Sequence, residues 1–268
     1  MKSIYPKDSG QEYIKKINDV LSVDSRERVF QDYIISPFLQ FVLNDYDVVP
    51  VDIKVSGKIH KYELYCGRYG YIDKDSELHI CTETPDLCVA NNWKWLNADM
   101  KREDYVLTVE IKTPFSDNEY WISPGYMDGK IVFENKTSDI VKFINEKMLK
   151  KNESGEYLYD GDSCYPKSIE KQIGIHIRCM EKVIATDGVR WIFLYRKNDS
   201  CYEFATIDLG RRICKKPRKY YKYVKIDWDD QKIDENFSLL QETIKMFCKN
   251  NINDLDAYIK QRNYFGVN

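Results

Sequence analysis

Three charged residues have the types and the spacing that hydrolysis of a phosphate ester needs. Asp86 follows Pro85 at the end of an apolar, strand-like segment, and further along the chain Glu110 and Lys112 are separated by one residue. Residues two apart on a β-strand project from the same face, so this carboxylate and this ammonium are expected side by side. Two carboxylates can bind Mg²⁺, which keeps several of its waters. A neighbouring lysine can then orient or deprotonate the attacking water and offset charge on the phosphate.

The same residues also have an ordinary interpretation. Glu-x-Lys is common on exposed strand faces, where water solvates both charges, and Pro-Asp is a frequent turn dipeptide. If that face packed against a hydrophobic layer, burial of both charges would be costly. The two motifs occur together, each beside a strand-like segment and with a helical segment downstream. This combination favours a metal-dependent phosphodiester site over a surface of unrelated charges.

Pro85-Asp86 followed by Glu110-Ile111-Lys112 resembles the motif of the PD-(D/E)XK nuclease superfamily, which has the restriction-endonuclease-like fold. The order of helices and strands extends the resemblance over more than half of the chain. The resemblance implies that Asp86 and Glu110 hold Mg²⁺ with help from the backbone carbonyl of Ile111, and that Lys112 positions the water. It also implies that Mn²⁺ substitutes for Mg²⁺.

Two further positions match the superfamily less specifically. Its leading helix often contributes an acidic residue, and Glu27 suits that role; Asp24 to Glu27 is equally a capping-box pattern, with Asp24 as the cap. Gln172, on the helix after the motif, corresponds to a glutamine found in some subfamilies. A glutamine beside a hydrophobic stripe is otherwise a boundary residue, so both interpretations of each position stay open.

A basic, aromatic segment, residues 211–225, contains eight Lys and Arg residues and no acidic residue. Lysine and arginine neutralise phosphates, and tyrosine rings stack on bases. We therefore predict that nucleic acid contacts Arg211, Arg212, Lys215, Lys216, Arg218, Lys219, Tyr220, Tyr221 and Lys222. Alternatively, the segment is a solvated strand edge whose lysines block edge pairing, or it pairs with the acidic run 227–235.

Hydrophobic periodicity indicates the elements that must position these residues. The helical pattern over 24–43 is interrupted by Pro37, so we predict a break or kink there, with Ser36 capping a second piece. Asp128-Gly129 predicts a hairpin turn. Other helices are predicted over 138–151, 168–186, 236–249 and 253–262, and strands over 48–55, 62–66, 78–82, 105–112, 189–195 and 202–207.

This order of elements predicts an α/β fold, a restriction-endonuclease-like central mixed sheet flanked by helices, with insertions. We expect a single domain over 1–268, with an N-terminal helix, an inserted segment at about 115–167 and C-terminal helices at about 236–262. The loop 115–129 directly follows Lys112, and its aromatic residues could reach a substrate: Tyr120, Trp121 and Tyr126.

Composition excludes several classes of protein. The net charge is −2, mean hydropathy is −0.57, and 43% of the 268 residues are hydrophobic, which argues against a membrane span and against disorder. The polar start of the chain is unlike a secretory signal, so we expect an intracellular, cytoplasmic protein, or a nuclear one in a eukaryote. The eight cysteines show no C-x-x-C spacing and are expected as reduced, mostly buried thiols.

The sequence therefore predicts a Mg²⁺-dependent endonuclease of the restriction or defence type that cleaves DNA and does not associate with a membrane. Cleavage of both antiparallel strands would call for a homodimer with two sites related by a two-fold axis. An RNA-cleaving member of the same superfamily is the alternative enzyme. A catalytically silent nucleic-acid-binding platform, or an interaction protein with ordinary surface charges, is the alternative from another class.

Overall fold

The computed structural model describes residues 9–51, 66–72, 75, 77–94, 100–114, 122–133, 148–151, 157–159, 169–198, 201–215 and 222–249. Over these residues the protein is a mixed α/β structure with a large mixed sheet and helices on both of its faces. The α/β class predicted from the sequence is confirmed.

The helical segments are α1 (Gly10–Val23), α2 (Glu27–Phe30), a π-helical turn (Gln31–Ile35), α3 (Ser36–Val42), a 3₁₀ turn (Arg102–Asp104), α4 (Ile169–Met180) and α5 (Ile233–Lys249). The strands are β1 (Asp47–Pro50), β2 (Arg68–Ile72), β3 (Leu78–Thr82), β4 (Leu87–Ala90), β5 (Tyr105–Ile111), β6 (Gly125–Met127), β7 (Lys130–Phe133), β8 (Met148–Lys151), β9 (Tyr157–Tyr159), β10 (Lys182–Thr186), β11 (Arg190–Asn198), β12 (Cys201–Asp208), β13 (Gly210–Lys215) and β14 (Lys222–Trp228).

The central sheet has six strands in the order β1-β4-β5-β10-β11-β12. β5 and β10 pair in parallel, and the other neighbouring pairs are antiparallel. Parallel neighbours need a crossover connection, and α4, which precedes β10, packs against both strands. The carboxyl ends of β5 and β10 therefore lie at one edge of the sheet, where the antiparallel β4 begins.

Helices cover the central sheet on two sides. One core combines α1, α3 and α5 with inward-facing residues such as Leu107, Val109 and Trp191. A second core packs Ile173 and Ile177 of α4 against the other face. Successive residues of β11 alternate between these cores, as the two-residue repeat of a strand requires. Glu110 alternates with Val109 and Ile111 of the first core and consequently faces the α4 side.

The helix around Pro37 is continuous, so the predicted break is wrong. Residues 27–42 pass from α2 through the π-helical turn into α3, and Ser36 has helical dihedral angles and makes no capping hydrogen bond. Proline lacks an N–H and crowds the carbonyl of the preceding turn. The wider π-helical turn, which ends two residues before Pro37, is where the helix departs from α-helical hydrogen bonding, and such turns are frequent at functional sites.

Two predicted helices are wrong at their carboxyl ends. Residues 148–151 of the predicted helix 138–151 form β8, which pairs with β9; residues 134–147 lie outside the described part. The predicted helix 168–186 ends at Met180, and 182–186 form β10. Ile184 continues the helical spacing of α4 by coincidence, because pairing of β10 with β5 and β11 on both sides outweighs local periodicity.

Several other predictions are confirmed. The structure contains the strands predicted over 78–82, 105–112, 189–195 and 202–207, with ends that differ by a few residues. Asp128 (φ 53°) and Gly129 (φ 75°) form the predicted two-residue hairpin turn between β6 and β7, since both need positive φ. The sequence analysis did not identify α1, β2, β4, β9, β13 or β14. The helix predicted over 253–262 lies outside the described residues.

Two smaller four-stranded sheets flank the central one, with the orders β14-β13-β6-β7 and β3-β2-β9-β8. Both contain strands from the predicted insertion 115–167, because β6 pairs with β13 and β9 pairs with β2. The insertion therefore contributes strands to neighbouring sheets. The single-domain division over 1–268 stays a prediction.

In the described part of the chain, no helix is both long and apolar enough to span a membrane. Six of the eight cysteines are described there as free thiols: Cys66, Cys81, Cys88, Cys179, Cys214 and Cys248. Four of these six side chains are buried, which agrees with the expectation of reduced, mostly buried thiols.

Candidate functional site

Asp86 and Glu110 lie close together where β4 begins and β5 ends. In the β4–β5 ladder Leu87 pairs with Val109, so Asp86 precedes β4 opposite Glu110. The backbone N–H of Ile111 donates to Asp86 Oδ2 at 2.6 Å. The sequence analysis placed Asp86 at the end of a strand. In the structure it instead lies directly before β4. It still reaches Glu110, because β4 runs antiparallel to β5.

The backbone of Asp86 is fixed from two further directions. Its carbonyl accepts hydrogen bonds from the N–H of Val51 at 3.2 Å and from the side-chain amide of Gln31 at 3.4 Å. Gln31 is 1% exposed and lies one helical turn after Glu27. The helix that contains the π-helical turn thus positions Asp86 directly, a role that the sequence analysis missed.

Glu110 and Lys112 form a buried ion pair. Lys112 Nζ donates to Glu110 Oε1 at 2.6 Å, and the two residues are 6% and 3% exposed. They share a face of the strand as predicted, with Ile111 between them in the opposite core. This burial is not the solvated strand surface of the ordinary interpretation.

Glu27 approaches the same lysine from the leading helix. Its Oε2 lies 3.6 Å from Lys112 Nζ, and its side chain is 42% exposed. The capping-box interpretation does not match the contacts, since Asp24 accepts hydrogen bonds from the backbone N–H and the guanidinium of Arg26, which is the residue at the N-cap. The structure places Glu27 beside Lys112, and its role in the site stays a prediction.

Gln172 joins the site through a residue that the sequence analysis did not select. The side-chain amide of Gln172 donates to Glu83 Oε1 at 2.9 Å. Glu83 lies three residues before Asp86, in the segment that leads to β4, and the backbone N–H of Glu83 donates to the carbonyl of Gly67. Its position beside the Pro-Asp dipeptide was the one available signal for this residue.

His176 is a further residue that the sequence analysis missed. It lies one turn after Gln172 on α4, so both side chains share a helix face. His176 is fully buried, with Nδ1 3.0 Å from the carbonyl oxygen of Cys66 and Nε2 3.6 Å from Glu110 Oε2. The four-residue spacing from Gln172 was the only sequence signal for it.

Opposite charges keep Glu110 and Lys112 ionised despite burial. Burial alone raises the pKa of Glu110, but the Lys112 ammonium, together with His176 in its protonated form, lowers it to about 2. Burial alone lowers the pKa of Lys112, yet Glu110, Asp86 and Glu27 together raise it above the ordinary value of 10.5. Glu110 is therefore a carboxylate and Lys112 an ammonium in the folded protein.

The two other carboxyl groups behave in the opposite way. Burial, together with the negative charges of Glu110 and Glu27, raises the pKa of Asp86 well above 3.8. Burial likewise raises the pKa of Glu83, and its hydrogen bond with Gln172 only partly opposes this. Both groups are displaced toward the neutral acid because positive charge nearby is insufficient for all four carboxylates.

The carbonyl oxygen of Ile111 points to the Asp86 side of β5. The N–H of Lys112, on the same peptide, donates to the carbonyl of Thr186 on β10. The described peptide bonds are all trans, so the Ile111 carbonyl points away from β10. It is directed as a third oxygen ligand beside Asp86 and Glu110 would need to be.

Oxygen donors from Asp86, Glu110 and Ile111 suit a hard divalent cation such as Mg²⁺. Over the described residues, no group of three or more His, Cys, Asp and Glu side chains is arranged to hold a metal ion as it stands. The Lys112 ammonium, and not a metal ion, contacts Glu110 and Glu27. A cation bound by these carboxylates would therefore have to move the lysine toward solvent or substrate.

The structure corrects the prediction for Arg212. This side chain is 0% exposed, and its guanidinium donates to the carbonyls of Pro114 and Ser123 and lies 4.0 Å from Asp187. Asp187 in turn accepts hydrogen bonds from the N–H and hydroxyl of Ser123. Arg212 is buried because it anchors the chain that follows Lys112, and it is not available to a phosphate.

The remainder of the basic segment is described only in part. Arg211 and Lys215 are exposed on β13, and the Arg211 guanidinium lies 5.5 Å from the ring centre of Tyr126. Lys222 begins β14. The other predicted contacts, and Tyr120 and Trp121 of the loop after Lys112, lie outside the described residues: Lys216, Arg218, Lys219, Tyr220 and Tyr221.

Arg211 and Tyr126 also line an open cavity of about 390 Å³ on the sheet that contains β13 and β14. Its wall is completed by Pro124, Asp208, Gly210, Asp227, Trp228 and Asp229. None of the charged residues around Lys112 lines this cavity, so it is distinct from the site at the edge of the central sheet.

Comparisons with protein-family models, with curated proteins and with solved structures found no match to this chain.

Proposed function

We propose that this protein is a divalent-cation-dependent nuclease of the restriction-endonuclease-like type, which hydrolyses phosphodiester bonds. One observation carries the proposal: Asp86, Glu110, Lys112 and Glu27, which are distant in sequence, converge at one edge of the central sheet. The resemblance of Pro85-Asp86 and Glu110-Ile111-Lys112 to the superfamily motif supports the same activity.

The balance of charge supports a cation at this place. Among the described residues, Glu27, Asp86 and Glu110 all act on Lys112, and Glu83 lies nearby. The pKa values of Asp86 and Glu83 are raised. Removing several carboxylates from water without matching positive charge is costly. A divalent ion supplies that charge and makes ionisation of Asp86 favourable.

The proposed roles follow from the contacts. Asp86, Glu110 and the carbonyl of Ile111 would hold the cation, either Mg²⁺ or Mn²⁺ as its substitute. When bound, the cation would neutralise charge and activate water. Lys112, whose pKa is raised, acts as a donor that orients the water or a phosphate oxygen. Glu27 lies beside Lys112, and Gln172 lies beside Glu83.

DNA is the substrate that we propose, with RNA as the alternative, and a homodimer would cleave both strands of a duplex. The exposed Arg211 and Lys215, with Lys222 and the residues between them, supply basic groups for a phosphate backbone. A silent nucleic-acid-binding platform remains the alternative from another class, and it would bind nucleic acid without cleaving it.

Calorimetric titration with Mg²⁺ and Mn²⁺, followed by cleavage assays on plasmid DNA and on single-stranded RNA, tests the proposal. We expect Asp86→Asn to abolish metal binding, and Lys112→Ala to abolish cleavage in protein whose circular dichroism shows that it is folded. The exposed Asp32→Asn and Lys101→Ala are matched controls and should change neither measurement. Wild-type protein that binds neither ion and cleaves neither substrate would disprove the proposal, whereas metal binding without cleavage would favour the platform.

A further inference from the structure

The ring of His176 is held in one orientation by its hydrogen bond with Cys66. Nδ1 lies 3.0 Å from the carbonyl oxygen of Cys66, and a carbonyl can only accept, so Nδ1 carries the hydrogen. In the neutral ring this leaves the lone pair on Nε2. The side chain is 0% exposed, and neither nitrogen faces bulk water.

Nε2 points into the carboxylate group without making a hydrogen bond there. It lies 3.6 Å from Glu110 Oε2, beyond hydrogen-bonding distance, and among the described residues it has no hydrogen-bond partner. A buried polar atom without a partner is uncommon in native proteins and calls for an explanation such as a missing ion.

The separation of these two atoms suits two ligands of one metal ion. Imidazole nitrogen and carboxylate oxygen bind first-row transition ions at about 2.0–2.2 Å, so two such ligands of one ion lie roughly 3–3.6 Å apart. A metal-binding histidine almost always donates its other N–H to a carbonyl or carboxylate, as His176 does to Cys66. Gln172 lies one turn before His176 on α4 and donates a hydrogen bond to Glu83. Glu83 is therefore another acidic side chain on the same side of the site as His176.

We propose that His176 Nε2 is a direct ligand of the divalent cation, together with Glu110 Oε2, and that the site consequently prefers Mn²⁺ or a similar transition ion to Mg²⁺. Imidazole binds first-row transition ions well, whereas Mg²⁺ favours oxygen ligands alone. This inference rests on the proposed function and adds to it a ligand and an ion preference. The opposing possibility is that His176 is an imidazolium that neutralises Glu110, in which case it repels a cation.

Calorimetric titration of wild-type protein and His176→Gln with Mn²⁺ and with Mg²⁺ separates the two possibilities by sign. As a ligand, His176 makes the Mn²⁺ affinity fall at least about tenfold on substitution, with a change of less than about threefold for Mg²⁺. As an imidazolium, its removal tightens the binding of both ions, which would overturn the proposal, as would unchanged affinities. His79→Gln, a substitution of a partly exposed histidine on β3, is the matched control.

A second measurement does not depend on the folding of a buried variant. The chain has three histidines, so His60→Gln/His79→Gln leaves His176 as the only one. Electron spin echo spectra of Mn²⁺ bound to this protein should show coupling to a histidine nitrogen that shifts on ¹⁵N-histidine labelling. Bound Mn²⁺ that depends on Asp86 but shows no such coupling disproves the His176 ligand alone. Protein that binds neither ion disproves the proposed function and this inference together.

Discussion

Lys112 is buried and paired with acidic side chains, whereas most lysines extend into solvent. Its Nζ contacts Glu110 at 2.6 Å and Glu27 at 3.6 Å, and its side chain is 8% exposed. A charge removed from water is tolerated when it is paired and becomes a large cost when its partner is deleted. The pair therefore has structural consequences that are separate from its proposed part in hydrolysis.

We expect Lys112→Met to destabilise the metal-free protein by about 3–5 kcal/mol at neutral pH, because it leaves Glu110 buried without the ammonium. The folded-state pKa of Glu110, about 2, is below the ordinary 4.5, so its stabilising contribution is present above pH 4.5 and lost toward pH 2. The difference from wild type should consequently shrink over that interval. Urea denaturation from pH 2.5 to 8 measures it, with Lys101→Met as the exposed control; a constant difference would contradict the argument.

Asp86 should show the opposite dependence on pH. Its folded-state pKa is raised above 3.8, so the folded protein retains a proton that the unfolded chain releases, and stability falls as pH rises from about 4 toward the folded value. Asp86→Asn keeps the shape without the charge. We expect the metal-free variant to be more stable than wild type at pH 7, by on the order of 1 kcal/mol.

The gain from Asp86→Asn should grow with pH above 4 and reverse when Mn²⁺ is added, since only the wild type is then stabilised by bound ion. Thermal denaturation with EDTA and with Mn²⁺ measures both effects. If Asp86→Asn were less stable than wild type in EDTA at pH 7, the argument that ionised Asp86 destabilises the folded protein would be wrong.

The sequence was sufficient to predict that Glu110 and Lys112 share a strand face, because their two-residue spacing fixes it. Asp86 was chosen from the Pro-Asp dipeptide, and its approach to β5 became visible only in the structure. The sequence was insufficient for Glu83 and His176. Their contacts depend on how α4 packs over the sheet, and a glutamate or a buried histidine considered alone has many ordinary explanations. The prediction that Arg212 contacts nucleic acid was wrong because its position within a basic segment does not reveal that its side chain points inward.

At the scale of elements, the junction of α4 and β10 shows why a boundary was misjudged. Helices commonly end at a glycine with positive φ, and this chain has Glu181 (φ 68°) in that place. Because no glycine follows Met180 and Ile184 continues the helical spacing, the sequence contained no indication that α4 ends there. The strained position is itself testable.

Glu181→Gly should stabilise the protein by about 0.5–1 kcal/mol, since glycine adopts the left-handed conformation without the steric cost of a Cβ. The variant also loses the exposed ion pair of Glu181 with Arg196, which contributes little. Arg196→Gln removes the same ion pair from the side of the arginine and is the control. Chemical denaturation measures both variants, and a Glu181→Gly protein less stable than Arg196→Gln would contradict the interpretation.

At the scale of the whole molecule, the α/β class was predictable because alternating and helical patterns recur in an order that only a sheet covered by helices satisfies. The two smaller sheets were not, since their pairings join short strands far apart in the chain, such as β6 with β13. The buried Arg212 and Asp187 hold Ser123 and Pro114, and so connect one of these sheets to the chain that leaves Lys112.

This arrangement separates the basic segment into an inward and an outward part, and only the outward part can bind nucleic acid. Arg211 and Lys215 are exposed, whereas Arg212 is not. For duplex DNA the logarithm of affinity falls with the logarithm of salt concentration by about 0.9 per neutralised phosphate. If each exposed residue contacts one phosphate, Arg211→Ala/Lys215→Ala should reduce the slope by about 1.8 and weaken binding at low salt.

Fluorescence anisotropy of a labelled duplex between 50 and 300 mM salt measures this slope, in the presence of Ca²⁺ to limit cleavage. Lys101→Ala/Lys245→Ala removes the same number of exposed charges elsewhere and should leave the slope nearer to that of the wild type. Arg212→Met should instead lower stability with little direct effect on the slope of the folded fraction, because its guanidinium is enclosed by protein. Equal slopes for wild type and the Arg211/Lys215 variant would remove β13 from the nucleic-acid interface and leave the phosphate backbone to other surfaces around Lys112.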